Sequence, residues 1–160
     1  MQRLVVGLFI GVVVGTGFGF ALGILVFPYL FPPPEVNEPL VDVAEREVVA
    51  RATFIHANPS DPIHYGRGTA TIYADLVRLE ADFEVGPGPK FHVYLVPLAE
   101  VTPQTEVENT MFVDLGRLKA FSGSQNYPIP VGTELADFGS VVIWCEQFNV
   151  LISPAAISRP

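Results

Sequence analysis

The sequence predicts an all-β domain, a sandwich or a barrel, preceded by one transmembrane α-helix. Two observations support this prediction. No charged side chain occurs from Leu4 to Pro34, a stretch that is mostly apolar. The rest of the chain consists of short segments rich in Val, Ile, Phe, Tyr and Thr, each bounded by clusters of Pro, Gly, Asn or Asp. Short strands at such spacing are typical of a sandwich or barrel.

The apolar run from Leu4 to Phe27 predicts an uncleaved membrane anchor over residues 1–30. A helix of about 24 residues would be about 36 Å long, enough to cross a hydrocarbon core of about 30 Å. A cleaved signal peptide is the alternative, because Arg3 gives the chain a short positive start. The apolar region of a signal peptide is however only about 7–15 residues long and ends at a small-x-small site. This run is longer and leads into Phe27-Pro28-Tyr29 without such a site.

Glycine recurs at every fourth position of the anchor. The residues are Gly7, Gly11, Gly15, Gly19 and Gly23. On a helix they lie near one face, and small residues at this spacing let two helix backbones approach closely in lipid. Glycine is also common in membrane helices generally. The stripe favours contact with a second helix, from another copy of this chain in a homo-oligomer or from a different membrane protein.

The charges around the anchor predict its orientation. Arg3 precedes the anchor, and the first basic residue after it is Arg46. The acidic residues between the anchor and Arg46 are Glu35, Glu38, Asp42 and Glu45. By the positive-inside rule, the N-terminus lies in the cytoplasm and the C-terminal domain lies in the periplasm or outside the cell.

Charge and motifs limit the function classes. The formal net charge is −8, and binding to phosphates needs clustered Lys and Arg, so nucleic acid is excluded as a partner. The sequence lacks the glycine-rich phosphate loops and the catalytic zinc, redox and serine motifs of the commonest enzymes.

His56, His64, His92 and Met111 have no spacing typical of copper or haem sites. We therefore predict no metal ligand and leave the cofactor open, and we expect His92 to be half-exposed.

The segment after the anchor is rich in proline. Phe31 to Pro39 reads FPPPEVNEP and predicts a stiff linker over residues 31–46. The outer domain then covers residues 47–160. Its predicted strands are Val48–Ala57, Thr69–Ala74, Leu76–Val85, Phe91–Leu98, Met111–Leu118 and Ser140–Ile152.

The chain has a single cysteine, Cys145, next to its single tryptophan, Trp144. In a strand, Cys145 would share a face with Ile143, while Trp144 would lie on the other face. Both faces are apolar, and a free cysteine usually behaves as a small buried hydrophobe. Glu146 follows directly, however, so the thiol lies where the buried stretch ends. One cysteine makes no internal disulfide. Inert packing, pairing with another molecule and reactivity all remain open.

Several segments in fixed order resemble one known family. They are Leu115-Gly-Arg-Leu-Lys119, Gln125-Asn-Tyr-Pro-Ile-Pro130 and Val141-Val-Ile-Trp-Cys145 with Phe148, preceded by segments that begin at Gly68, Arg78 and Gly88. From about Val48 to Ile157 the chain resembles the electron-transfer DM13 domain. This domain is the extracellular module of Skeletor-type proteins and often occurs beside DOMON domains and b-type cytochromes. The chain departs from the family at Ala120, where glycine is usual, and at Pro154, which interrupts a segment that is a strand in many members.

The resemblance implies an antiparallel, DOMON-like β-sandwich and a redox or electron-transfer role for Cys145. Supporting residues would be Trp144, Glu146, Tyr127 and Asn126, and the partner would be a membrane cytochrome or another redox protein. The alternative is a non-catalytic extracytoplasmic binding or adhesion sandwich in which Cys145 belongs to the core. No nucleophile–base pair supports a hydrolase, so we expect an electron-transfer or binding module rather than an enzyme.

Overall fold

A computed structural model describes residues 2–31, 34–41 and 46–160, except for the side chain of Tyr29. It divides the chain into two compact units, residues 1–33 and 34–160. The first unit contains helix α1, Gln2–Leu30, which confirms the predicted apolar helix. The span Gln2–Pro28 is long and apolar enough to cross a membrane, with a mean hydropathy of 2.3. A membrane anchor and a signal sequence share these properties. Contact of the glycine stripe with a second helix stays a prediction.

The described part of the second unit forms one antiparallel sheet of nine strands. The strands are β1 Val48–Phe54, β2 Gly66–Tyr73, β3 Leu76–Leu79, β4 Glu84–Val85, β5 Phe91–Val96, β6 Val113–Arg117, β7 Gln125–Pro128, β8 Ser140–Cys145 and β9 Val150–Ser158. Their order is β6-β5-β8-β9-β1-β2-β3-β7, with β4 paired to β2. The sheet curves until it is nearly closed. The predicted all-β class is confirmed.

Several strand boundaries differ from the prediction. The predicted strand Ser140–Ile152 is a hairpin, because Glu146 to Asn149 form a turn in which Asn149 has a left-handed φ of 56°. The predicted strand Leu76–Val85 is broken by a turn after β3, and β7 is a strand that the sequence pattern missed. Pro154 does not interrupt β9. It lies opposite Val142, and its carbonyl accepts a hydrogen bond from the Ile55 amide.

The core lies inside the curved sheet, and a smaller apolar cluster lies on its outer face. Strand β8 shows the alternation: Ile143 and Cys145 belong to the interior cluster, whereas Val142 and Trp144 belong to the outer cluster. Val101 and Val107, from the loop between β5 and β6, are part of the outer cluster. Strand β8 is therefore covered on both faces, as its continuous apolar sequence predicts.

Gln125 bridges the gap between the two ends of the sheet, β6 and β7. Its side chain is completely buried. Its Oε1 accepts hydrogen bonds from the amides of Lys119 (3.1 Å) and Ala120 (3.2 Å), and its Nε2 donates to the Ala120 carbonyl (2.9 Å). The Tyr127 hydroxyl also donates to Oε1, at 2.8 Å. Strands β6 and β7 are the two ends of the sheet and do not pair with each other. Side chains of the Gln-Asn-Tyr segment supply hydrogen bonds there in place of strand pairing.

Residues 34–41 lie along the same end of the sheet. The Glu38 amide donates to the Ser124 carbonyl (2.9 Å), and the Arg78 guanidinium donates to the Glu38 carbonyl (3.0 Å). The Glu38 carboxylate accepts from Lys119 Nζ (2.7 Å) and from the Asn126 amide (2.7 Å). This part of the predicted linker 31–46 is therefore held against the β-domain. Residues 32, 33 and 42–45 lie outside the described residues, and the predicted domain boundaries stay a prediction.

Candidate functional site

Cys145 is the last residue of β8, and its thiol points into the interior. The residue is only 1% exposed. Its Sγ donates a hydrogen bond to the Pro89 carbonyl at 3.2 Å. The Glu146 amide donates to the Lys90 carbonyl, which fixes the loop before β5 against the end of β8. In this arrangement the sulfur has a satisfied hydrogen bond and is not reached from solvent.

Trp144 does not share the surroundings of the thiol. Its side chain is buried in the outer cluster, opposite His92 on β5 and Leu151 on β9. The sheet itself separates the indole from Sγ. Phe148 would share a face with Trp144 if the strand continued, but it lies in the turn after β8 and is exposed.

Tyr127 and Asn126 lie on β7, at one end of the sheet, and their polar groups bind neighbouring segments. The Tyr127 hydroxyl donates to Gln125 and accepts from the Lys119 amide, and burial raises the pKa of Tyr127. Asn126 accepts from Arg78 at 2.8 Å and donates to the Pro39 carbonyl at 3.0 Å. Tyr127 shares the interior cluster with Cys145, but the polar groups of both β7 residues are engaged elsewhere. Their supporting role toward the thiol stays a prediction.

A polar cluster that the sequence analysis missed lies on the outer face, next to Trp144. It consists of His92, Tyr94, Asp114 and Glu146, and we call it the His92 cluster. His92 Nδ1 lies 2.9 Å from Asp114 Oδ2, and His92 Nε2 lies 3.4 Å from Glu146 Oε2. The Tyr94 hydroxyl donates to Glu146 Oε1 at 2.9 Å. One imidazole thus lies between two carboxylates.

Strand pairing and a β-bulge bring the His92 cluster together. His92 and Tyr94 alternate with interior residues of β5, so both side chains lie on the outer face. The register between β5 and β6 shifts between Val93 and Tyr94. Gly116, with a φ of 119°, forms part of this irregularity, and its amide donates to Asp114 Oδ1 at 2.8 Å. Bulges commonly redirect a side chain in this way, and here Asp114 meets His92.

The electrostatics of the His92 cluster are dominated by negative charge. Burial and the hydrogen bond to Glu146 raise the pKa of Tyr94, so the hydroxyl stays protonated and keeps donating to the carboxylate. The Tyr94 ring also stacks on Phe112, with centroids 4.4 Å apart. Among the salt bridges of the described residues, Asp114 and Glu146 pair only with His92, not with Lys or Arg.

The sequence contained one clue to this cluster. The alternating run from Phe91 to Leu95 predicts a half-exposed His92, and the structure places it on the outer face but more deeply, with its side chain 17% exposed. No local spacing connects His92 with Asp114 or Glu146, so they were not recognised as a group. One ligand atom from each of the three residues lies within 4.8 Å of the others, a separation from which they could hold a metal ion.

These features define the class of the protein: an all-β domain with a buried free thiol, in a chain that begins with an apolar helix. A family profile described as electron transfer DM13 matches residues 60–157, more than half of the chain. The chain belongs to the DM13 family of electron-transfer domains, which confirms the resemblance seen in its motifs. No curated protein and no solved structure matches the chain.

Proposed function

We propose that this chain is a membrane-anchored electron-transfer module whose β-domain lies outside the cytoplasm. The observation that carries the proposal is the DM13 match over residues 60–157, which covers β2 to β8 and all but the last residue of β9. The anchor is α1, which has the length and hydropathy of a membrane span. Arg3 in the first turn of α1 and the acidic residues after the helix support a cytoplasmic N-terminus.

Cys145 is the redox residue of this proposal. It is the only thiol of the chain and ends the strand that carries the Val-Val-Ile-Trp-Cys motif. Thiol–disulfide exchange requires direct attack by one sulfur on another, and a buried Sγ does not offer it. In the simplest balanced step, local opening of the loop before β5 would let the thiol give its proton to water and one electron to the oxidised centre of a membrane cytochrome or another redox protein, which would leave a sulfur-centred radical at Cys145.

A second function is favoured by one specific observation, the burial of Cys145. A sulfur that is 1% exposed and hydrogen-bonded to Pro89 behaves like a core residue. In that case the domain is a non-catalytic binding or adhesion module, and the thiol contributes only to packing. In either case the glycine stripe of α1 is the proposed contact with a second membrane helix.

Two substitutions separate these functions. Cys145→Ser keeps a donor for the Pro89 carbonyl, whereas Cys145→Ala keeps the site apolar. The full chain in detergent is oxidised with ferricyanide, a one-electron acceptor, and electron transfer from the chain is followed by the loss of ferricyanide absorbance. The redox function predicts that both variants fold but lose electron exchange. Unchanged exchange in both variants would leave Cys145 as a core residue only. The absorption spectrum of protein purified from its native membrane tests for a haem or copper partner.

A further inference from the structure

We propose that the His92 cluster binds a divalent first-row transition-metal ion on the outer face of the sheet. The ion is ligated by His92 Nε2 and Glu146, Asp114 positions the imidazole through Nδ1, and water completes the coordination. This inference does not depend on Cys145, whose thiol lies on the other face of β8.

The distances within the cluster suit a shared ion. His92 Nε2 and Glu146 Oε2 are 3.4 Å apart, longer than a normal N–H···O hydrogen bond of about 2.7–3.2 Å. Two ligand atoms on one tetrahedral ion, with bonds of about 2.1 Å, are separated by about 3.4 Å. The two atoms are therefore spaced like neighbouring ligands without any movement of the strands.

Each ligand is also held in place by a further hydrogen bond. Asp114 contacts His92 Nδ1 at 2.9 Å, which leaves Nε2 directed toward Glu146. Tyr94 occupies the other oxygen of Glu146, and the Gly116 amide holds Asp114. A carboxylate on the far nitrogen of a ligating histidine is a recurrent feature of metal sites, because it fixes the ring and its tautomer.

The negative charge of the His92 cluster favours the binding of a cation. Two carboxylates share one imidazole, and the described salt bridges give neither carboxylate a Lys or Arg partner. A divalent ion would compensate this charge at the point where the two side chains converge.

The donor set indicates the class of metal. Imidazole nitrogen suits zinc, copper, iron and nickel, whereas magnesium and calcium prefer oxygen alone. We therefore expect affinity to rise from Mn²⁺ to Cu²⁺ in the usual order, with Zn²⁺ binding more tightly than Mn²⁺.

The test is a calorimetric titration of the full, untagged chain in detergent with Zn²⁺. We expect one ion per chain and a higher melting temperature in the presence of Zn²⁺. His92→Ala and Glu146→Ala should lower the affinity at least about 100-fold, and Asp114→Ala about 10- to 100-fold. Glu146→Gln, which keeps an acceptor for Tyr94, separates loss of the ligand charge from loss of folding.

Two control variants make the result specific. His64 also pairs with a carboxylate, Asp61, at 2.6 Å, but belongs to no described group of three metal-ligating residues. His64→Ala should bind Zn²⁺ like the unmodified chain, and Cys145→Ser should do so too, which separates this inference from the redox proposal. Absence of binding at 1 mM Zn²⁺ would overturn the inference. So would equal affinity in the unmodified chain and a folded His92→Ala variant.

Discussion

The Cys145 thiol and the Trp144 indole lie on opposite faces of β8, although the two residues are adjacent in the chain. Sγ is part of the interior cluster and is capped by the Pro89 carbonyl, whereas the indole packs in the outer cluster beside His92. The Trp-Cys pair is therefore not one site. Its two side chains belong to two environments, and each can be tested separately.

The native thiol should resist alkylation. Because Sγ is buried, iodoacetamide should label Cys145 in the folded chain at least about 100-fold more slowly than in the unfolded chain, since labelling requires local opening. Mass spectrometry of samples quenched over time measures both rates. Labelling of the folded chain at the rate of an exposed thiol would show that the loop before β5 does not cover the sulfur.

Removal of the Gln125 side-chain amide should weaken the contact between the two ends of the sheet, β6 and β7. Gln125→Leu keeps the volume but leaves the buried amide and carbonyl of Ala120 without their partner. We expect a loss of about 2–5 kcal/mol in the free energy of unfolding, measured by urea denaturation. Gln104 is exposed, so Gln104→Leu should change the stability by less than about 0.5 kcal/mol. Similar losses in the two variants would contradict a bridging role for Gln125.

The attachment of residues 34–41 to the β-domain should depend on pH, because it involves the Glu38 carboxylate. Burial alone would raise the pKa of Glu38, but hydrogen bonds from Lys119 and the Asn126 amide outweigh it and lower the pKa below 4.5. A lowered folded-state pKa stabilises the fold above the unfolded pKa, and this stabilisation is lost as the pH falls below about 4.5.

Unfolding free energies at pH 7 and pH 3 test this dependence. Glu38→Gln should be less stable than the unmodified chain at pH 7, by on the order of 1 kcal/mol, and the difference should shrink at pH 3. Glu47, which is exposed, supplies the control, and Glu47→Gln should leave the dependence unchanged. A Glu38→Gln difference that is equal at both pH values would exclude this contact as its source.

The β-bulge at Gly116 should affect metal binding by the His92 cluster as well as the stability of the fold. Gly116 has a φ of 119°, and a Cβ added there would meet no atom within 4 Å, so Gly116→Ala introduces backbone strain alone, about 1–3 kcal/mol. Relief of that strain would move Asp114, so Zn²⁺ affinity should fall about 10-fold. Gly132, with a φ of 89° and equally open space, is the matched control. Gly132→Ala should lose similar stability but keep its affinity for Zn²⁺.

Much of the architecture could be predicted from local pattern. The uncharged run predicts α1, and the alternation in β8 correctly separates Ile143 and Cys145 from Trp144. The ordered motifs were sufficient to recognise the family. These features depend on side-chain period and on apolar length, which a short stretch of sequence contains in full.

The pairing of distant strands decided the rest. Glu146 became part of a turn rather than of a strand, because Asn149 adopts a left-handed conformation. The bridging role of Gln125 depends on the position of β6 and β7 at the two ends of one sheet. His92, Asp114 and Glu146 converge because a bulge shifts the register of β6 against β5. The sequence by itself determined the face that side chains such as Ile143 and Trp144 occupy within a strand; the tertiary structure decided which faces meet, because strand register depends on turns and bulges between segments far apart in the chain.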